Sequence, residues 1–107
     1  MKRYGMTVRI KPGSEEDYRK CHTAVWPEVL ETIRACHIRN YSIFLKDDRL
    51  YSYFEYHGGD FESDMARMAA HAKTREWWAV VGHMQEPLKT RKSGEWWAEM
   101  EEVFHLD

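Results

Sequence analysis

Tyr41-Ser42-Ile43-Phe44-Leu45-Lys46 and Leu50-Tyr51-Ser52-Tyr53-Phe54-Glu55-Tyr56 are two runs rich in aromatic and aliphatic strand formers, parted only by the polar Asp47-Asp48-Arg49. So short a break between two such runs makes a β-hairpin and commits the chain to an antiparallel sheet. Tyr51, Tyr53 and Glu55 fall on one side of the second run, and Leu50, Ser52, Phe54 and Tyr56 on the other. Both faces of the sheet therefore carry rings, and both need covering.

The flanking sequence offers helices for one of those faces. Tyr4, Met6, Val8 and Ile10 alternate with Gly5, Thr7 and Arg9, which reads as a first strand. After the turn Lys11-Pro12-Gly13, Ser14 with Asp17 three residues on resembles a capping box, so a helix starts near Glu15. Pro27 suits the first position of another helix through about Ala35, with Val29, Leu30 and Ile33 on its apolar face. Beyond the hairpin, Asp60 is placed to cap a helix from Phe61 to about His71, and Thr74 to cap one carrying Trp77, Trp78 and Val81. Gln85 to Gly94 reads as a mobile surface loop, Glu95 to Glu99 is ambiguous, and Glu102 to Leu106 reads as a last strand. Strand, helices, two strands, helices, strand is the order of a ferredoxin-like α+β sandwich, an antiparallel sheet with helices on one face.

At 107 residues the chain is read as a single domain, 1–107, with one modest core. A net charge of -2 with mixed signs provides no basic footprint for nucleic acid. No apolar run approaches the roughly 18 residues needed to span a membrane, and the first residues lack a signal peptide's apolar core, so a cytoplasmic protein is expected. Cys21 and Cys36 are then expected to stay reduced. The six histidines form no His-x-x-x-His pattern and the cysteines no Cys-x-x-Cys, so no metal site is expected. The 14% aromatic content, with 5 Trp, is the unusual quantity. Rings pack cores, and they also lie flat against the apolar side of a pyranose.

The stretch Asp17 to Leu30 holds the candidate chemistry. Tyr18 and His22 are four residues apart, which on a helix stacks a phenol and an imidazole on one face, with Trp26 a further turn along if the helix lasts that far. An imidazole, with an ordinary pKa of about 6.5, exchanges protons in either direction near neutrality. The same period also describes an amphipathic core stripe, and both readings stand on spacing alone.

Taken together, a short first strand, Tyr18-x-x-x-His22-x-x-x-Trp26-Pro27-Glu28, Asn40-Tyr41 opening the hairpin, Trp77-Trp78 on a late helix and Glu102-Val103-Phe104 near the end resemble the L-rhamnose mutarotase family, over Arg3 to Leu106. The resemblance implies a homodimeric α/β barrel that interconverts the α and β anomers of a 6-deoxy sugar without a metal or cofactor. It assigns His22 the role of proton donor, and gives sugar contact to Tyr18 and Tyr41, with Trp77 and Trp78 completing the binding site. Trp26 and His105 are further pocket candidates. Trp96-Trp97 does not match the family's Trp-Trp position and is read as packing or dimer contact. His105 stands where the family often has Tyr, which leaves L-rhamnose and L-fucose both open as substrates. Two readings of other kinds remain beside it: a cofactor-free or haem-handling α/β-barrel monooxygenase, and a non-catalytic sugar-binding module.

Overall fold

The computed structural model describes residues Met1–Asp107. In order, the elements are β1 (Lys2–Ile10), α1 (Glu15–His22), α2 (Pro27–Ala35), β2 (Ile38–Lys46), β3 (Arg49–Tyr56), α3 (Phe61–Ala70), α4 (Ala72–Gly82), β4 (Gln85–Glu86) and β5 (Ala98–Met100). The sheet order is β2-β3-β1-β4, with β5 also pairing to β1, and every pairing is antiparallel. This is the expected α+β sandwich, with an antiparallel sheet and helices on one face.

Register explains which side chains meet the helices. Tyr4 pairs with Phe54, Met6 with Ser52 and Val8 with Leu50, so the alternating set of β1 and that of β3 share one face. Val8, Ile10, Leu50 and Val29 are sealed from water at its centre and pack with Tyr18, Trp77 and Val81. Burying each aliphatic side chain contributes about 1.5–3 kcal/mol. The other face carries Phe44 opposite Tyr51, both exposed.

Pro27 stands at the first turn of α2 as expected, because its missing N–H costs nothing there. Asp47 takes φ 56 in the hairpin turn, a left-handed conformation that Asp tolerates. The helix caps depart from expectation in two places. Ser14 does precede α1, but its side chain makes no capping bond. Thr74 does not cap α4, which begins two residues earlier. There the His71 ring accepts the Thr74 backbone N–H at Nδ1, 3.2 Å away, and Thr74 itself is buried. Asp60 caps α3 as expected, its Oδ1 accepting the Ser63 N–H at 3.1 Å. Asp60→Ala should therefore cost about 0.5–2 kcal/mol in chemical denaturation and Ser14→Ala only a few tenths. Equal losses would contradict this assignment of caps.

The chain end differs most from its sequence reading. The final strand is Ala98–Met100, and Glu102 to Leu106 is not a strand. Pairing stops at Gly5 opposite Met100, and the tail is then held by an Arg3–Glu102 ion pair at 2.9 Å. Val103, Phe104 and Leu106 are left mostly exposed, Phe104 being 78% exposed. No helix is long and apolar enough to cross a membrane.

Candidate functional site

A cavity of about 860 Å³ lies on the helix-covered side of the sheet, between it and the helices. The open sheet face, where a pocket enclosed by sheet pairing would lie, is not where it is found. Twenty of its 26 lining residues are hydrophobic, many of them aromatic, and Arg19, His22, Ser52, Thr74, Glu95 and Glu99 add polar groups, so the cavity suits a small ligand with one apolar side and hydrogen-bonding groups around it.

α1 places Tyr18 and His22 in this cavity together, as their spacing implies. Tyr18 is 4% exposed and belongs to the core, so the core-stripe reading holds for it as well. The two rings stack with centroids 4.3 Å apart, and Trp77 and the imidazole meet in a T-shaped pair with centroids 5.3 Å apart. His22 Nδ1 lies 2.8 Å from the Tyr18 carbonyl oxygen. A carbonyl only accepts, so Nδ1 carries the proton there and Nε2 is the nitrogen left to exchange one.

Tyr41 reaches the same cavity because β2 bulges. Arg39 pairs with Glu55 and Ser42 with Tyr53, which leaves one extra residue on β2. One extra residue reverses the facing of all that follow, and so turns Tyr41 from the open face to the cavity face. Asn40 makes the bulge possible: it adopts φ 51, and its amide donates to Glu55 Oε1 at 2.7 Å. The Asn40-Tyr41 dipeptide thus has a backbone reason. Tyr41 as a residue is 42% exposed, yet burial pushes its phenol up to about 12, with the Tyr18 phenol adding to the rise. Burial also pushes the Tyr18 phenol up to about 12, opposed by a hydrogen bond from Gln85.

Trp77 and Trp78 both line the cavity, Trp77 from within the core and Trp78 from its exposed rim. Trp26 does not. α1 stops at His22, so Trp26 is not a further turn of the same helix but the residue before α2, packed edge-on against Trp77 at 5.4 Å. His105 is also elsewhere, paired with Asp107 in the tail and bordering a separate cavity of about 610 Å³. No three His, Cys, Asp or Glu side chains converge as a metal site.

The sequence does not reveal two residues that bear on the site: Gln85, expected in a surface loop, is 4% exposed in β4 behind Tyr18, and Trp96, expected to serve packing or dimer contact, lines the cavity. Trp96 Nε1 donates to Gln85 Oε1 at 2.8 Å, and Gln85 Nε2 donates to the Tyr18 hydroxyl at 3.2 Å. A strand of two residues shows no alternation by which to recognise it. Two tryptophans after a basic loop were the available signal.

Fold and cavity together define an α+β protein that can enclose a small molecule between its helices and sheet, with an imidazole and two phenols at hand. The family model for L-rhamnose mutarotase matches residues 3–106. The chain is 32% identical to the L-rhamnose mutarotase of Burkholderia orbicola over 107 residues, covering 100% of both. It is also 32% identical to that of Rhizobium meliloti over 110 residues, covering 99% of each. The fold is similar to the crystal structure of an L-rhamnose mutarotase from Formosa agariphila, with TM-score 0.80 at 18% identity over the whole of both chains. It is also similar to tetracenomycin F2 cyclase from Streptomyces glaucescens, a type-II polyketide cyclase, with TM-score 0.72 at 16% identity and full coverage of both chains. The chain belongs to the L-rhamnose mutarotase family.

Proposed function

We propose that this protein interconverts the α and β anomers of L-rhamnose, or of a close 6-deoxy-L-hexose such as L-fucose, with His22 as the general acid. In ring opening, the imidazole delivers its Nε2 proton to the ring oxygen as the bond from that oxygen to the anomeric carbon breaks. The anomeric hydroxyl loses its proton to a second group, and the carbonyl forms. Rotation of the aldehyde and the reverse steps close the ring on the other face. The chemistry is proton transfer throughout and calls for no metal or cofactor.

The observation that carries this reading is the commitment of His22 Nδ1 to the Tyr18 carbonyl, which leaves Nε2 for exchange in a cavity lined by Tyr18, Tyr41, Trp77 and Trp78. Phenols pushed up to about 12 stay protonated through the neutral range, and so can donate to sugar oxygens. Trp78 at the rim offers an apolar face to the sugar ring, and Trp77 backs the imidazole. Saturation-transfer proton NMR on L-rhamnose and L-fucose tests the reading. Faster exchange between anomeric signals supports it, and the sugar with the larger acceleration is the preferred one. Binding without exchange would favour a sugar-binding module, and oxygen uptake or a Soret band on haem addition would favour a monooxygenase.

The working unit in this proposal is a homodimer, two sheets meeting face to face as an α/β barrel. Phe44 and Tyr51 on the open face, and Val103, Phe104 and Leu106 in the tail, support it, since a monomer seldom leaves so many apolar groups wet. The tail would also bring His105 to the partner. Sedimentation at sub-micromolar concentration should show a dimer, and a stable, active monomer there would refute the barrel.

A further inference from the structure

The Tyr18 hydroxyl is held from behind by a chain of two hydrogen bonds whose direction is fixed by chemistry. An indole N–H can only donate, so the atom of Gln85 facing Trp96 Nε1 at 2.8 Å is its oxygen. The amide of Gln85 is planar with its two ends chemically distinct, so its NH₂ end must then face Tyr18, 3.2 Å from the hydroxyl. Tyr18 receives a hydrogen bond there, and its own proton is left to point elsewhere.

Both ends of the relay are anchored by hydrogen bonds. Gln85 pairs with Ile10 in the sheet, and the residue before it accepts the Lys11 N–H at 2.8 Å. Trp96 follows Glu95, whose carboxylate accepts the Lys92 N–H at 2.9 Å and the Glu99 N–H at 3.3 Å, and these bonds hold the carboxyl below the usual carboxylate range. We propose that Trp96 and Gln85 are positioning residues that orient the Tyr18 hydroxyl as an obligate hydrogen-bond donor to an oxygen of the bound sugar. The proposal rests on the mutarotase reading for the identity of the ligand. Without the relay, the Gln85 amide is free to turn its oxygen toward Tyr18 and capture the proton. Tyr18 then offers the sugar only a lone pair. Trp96 in this role acts through another residue and is a determinant of affinity rather than of proton transfer.

A double-mutant cycle on KM separates the relay from simple packing. Trp96→Phe keeps a ring and removes the N–H, and should raise KM about 2- to 13-fold with kcat little changed, as for loss of one neutral hydrogen bond. Tyr18→Phe should do the same. The double variant should be no worse than Tyr18→Phe alone, because the Trp96 N–H, whose ring Phe replaces, works only through that hydroxyl. A wild-type KM for Trp96→Phe, or losses that multiply in the double variant, would overturn the proposal. Gln85→Glu reads the polarity itself: an ionised carboxylate can only accept from Tyr18, so KM should rise, and should recover as the pH falls and the carboxyl regains a proton to donate. A KM for Gln85→Glu that ignores pH counts against the relay. If the wild-type protein exchanges neither sugar, the mutarotase reading fails. The relay is then decided by the Trp96 indole proton in NMR, which must move upfield in Gln85→Leu if the bond exists and stay in place if it does not.

Discussion

His22→Asn should slow anomer exchange by about 10²- to 10⁴-fold, the usual contribution of a positioned acid or base, and leave the protein folded. Asn is the informative replacement because its amide N–H can stand where Nδ1–H stands, donating to the Tyr18 carbonyl that His22 meets at 2.8 Å. The local turn is kept and nothing remains at the position of Nε2. His22→Ala should lose exchange to the same extent and some stability besides, since the ring lies between Tyr18 at 4.3 Å and Trp77 at 5.3 Å. Saturation-transfer NMR measures the rate, and thermal melting followed by circular dichroism measures the fold. A His22→Asn protein that exchanges anomers at the wild-type rate removes His22 from the chemistry, whatever its melting temperature.

Elements whose signals are local were legible in the sequence. Asp60 announces α3 because a carboxylate before a helix can accept its free N–H groups, and Pro27 announces α2 because it cannot sit further in. The hairpin declared itself through composition and a short polar turn. Tyr18 and His22 were brought together by helical period alone. Signals that depend on tertiary partners were not readable. Ser14 has the right chemistry for a cap, but its hydroxyl does not make that bond in the fold, whereas His71 caps with a ring nitrogen that no capping rule leads one to expect. Trp26 shares the helical spacing of Tyr18 and His22, yet the helix ends between them. Gln85 looks like a loop residue in a polar segment, and only pairing with Ile10 takes it inside. The tail has strand-like residues without a strand beside it, since β1 offers β5 only Gly5, Met6 and Thr7.

Trp77 and Trp78 should separate cleanly into one residue for stability and one for binding. Neighbours on a helix point about 100° apart, so the two rings cannot both lie flat against one sugar face. Trp77 is 7% exposed, packed within the core and touching His22 and Trp26 edge-on, while Trp78 is 44% exposed at the cavity rim. Trp77→Ala empties a large volume at the junction of α4, α1 and the sheet and should cost about 3–5 kcal/mol, a large share of the 5–15 kcal/mol that a small domain has in all. Exchange should fall with it, because His22 loses a ring it packs against. Trp78→Ala removes a side chain that is 44% exposed, so its cost in stability should be well below that of Trp77→Ala, about 1 kcal/mol. What changes is KM, since the sugar loses an apolar face. Urea denaturation and sugar titration of the two variants give the comparison. A Trp78→Ala protein that unfolds as easily as Trp77→Ala would mean that the exposed ring is covered in the working assembly, and would move it from the binding site to the interface between protomers.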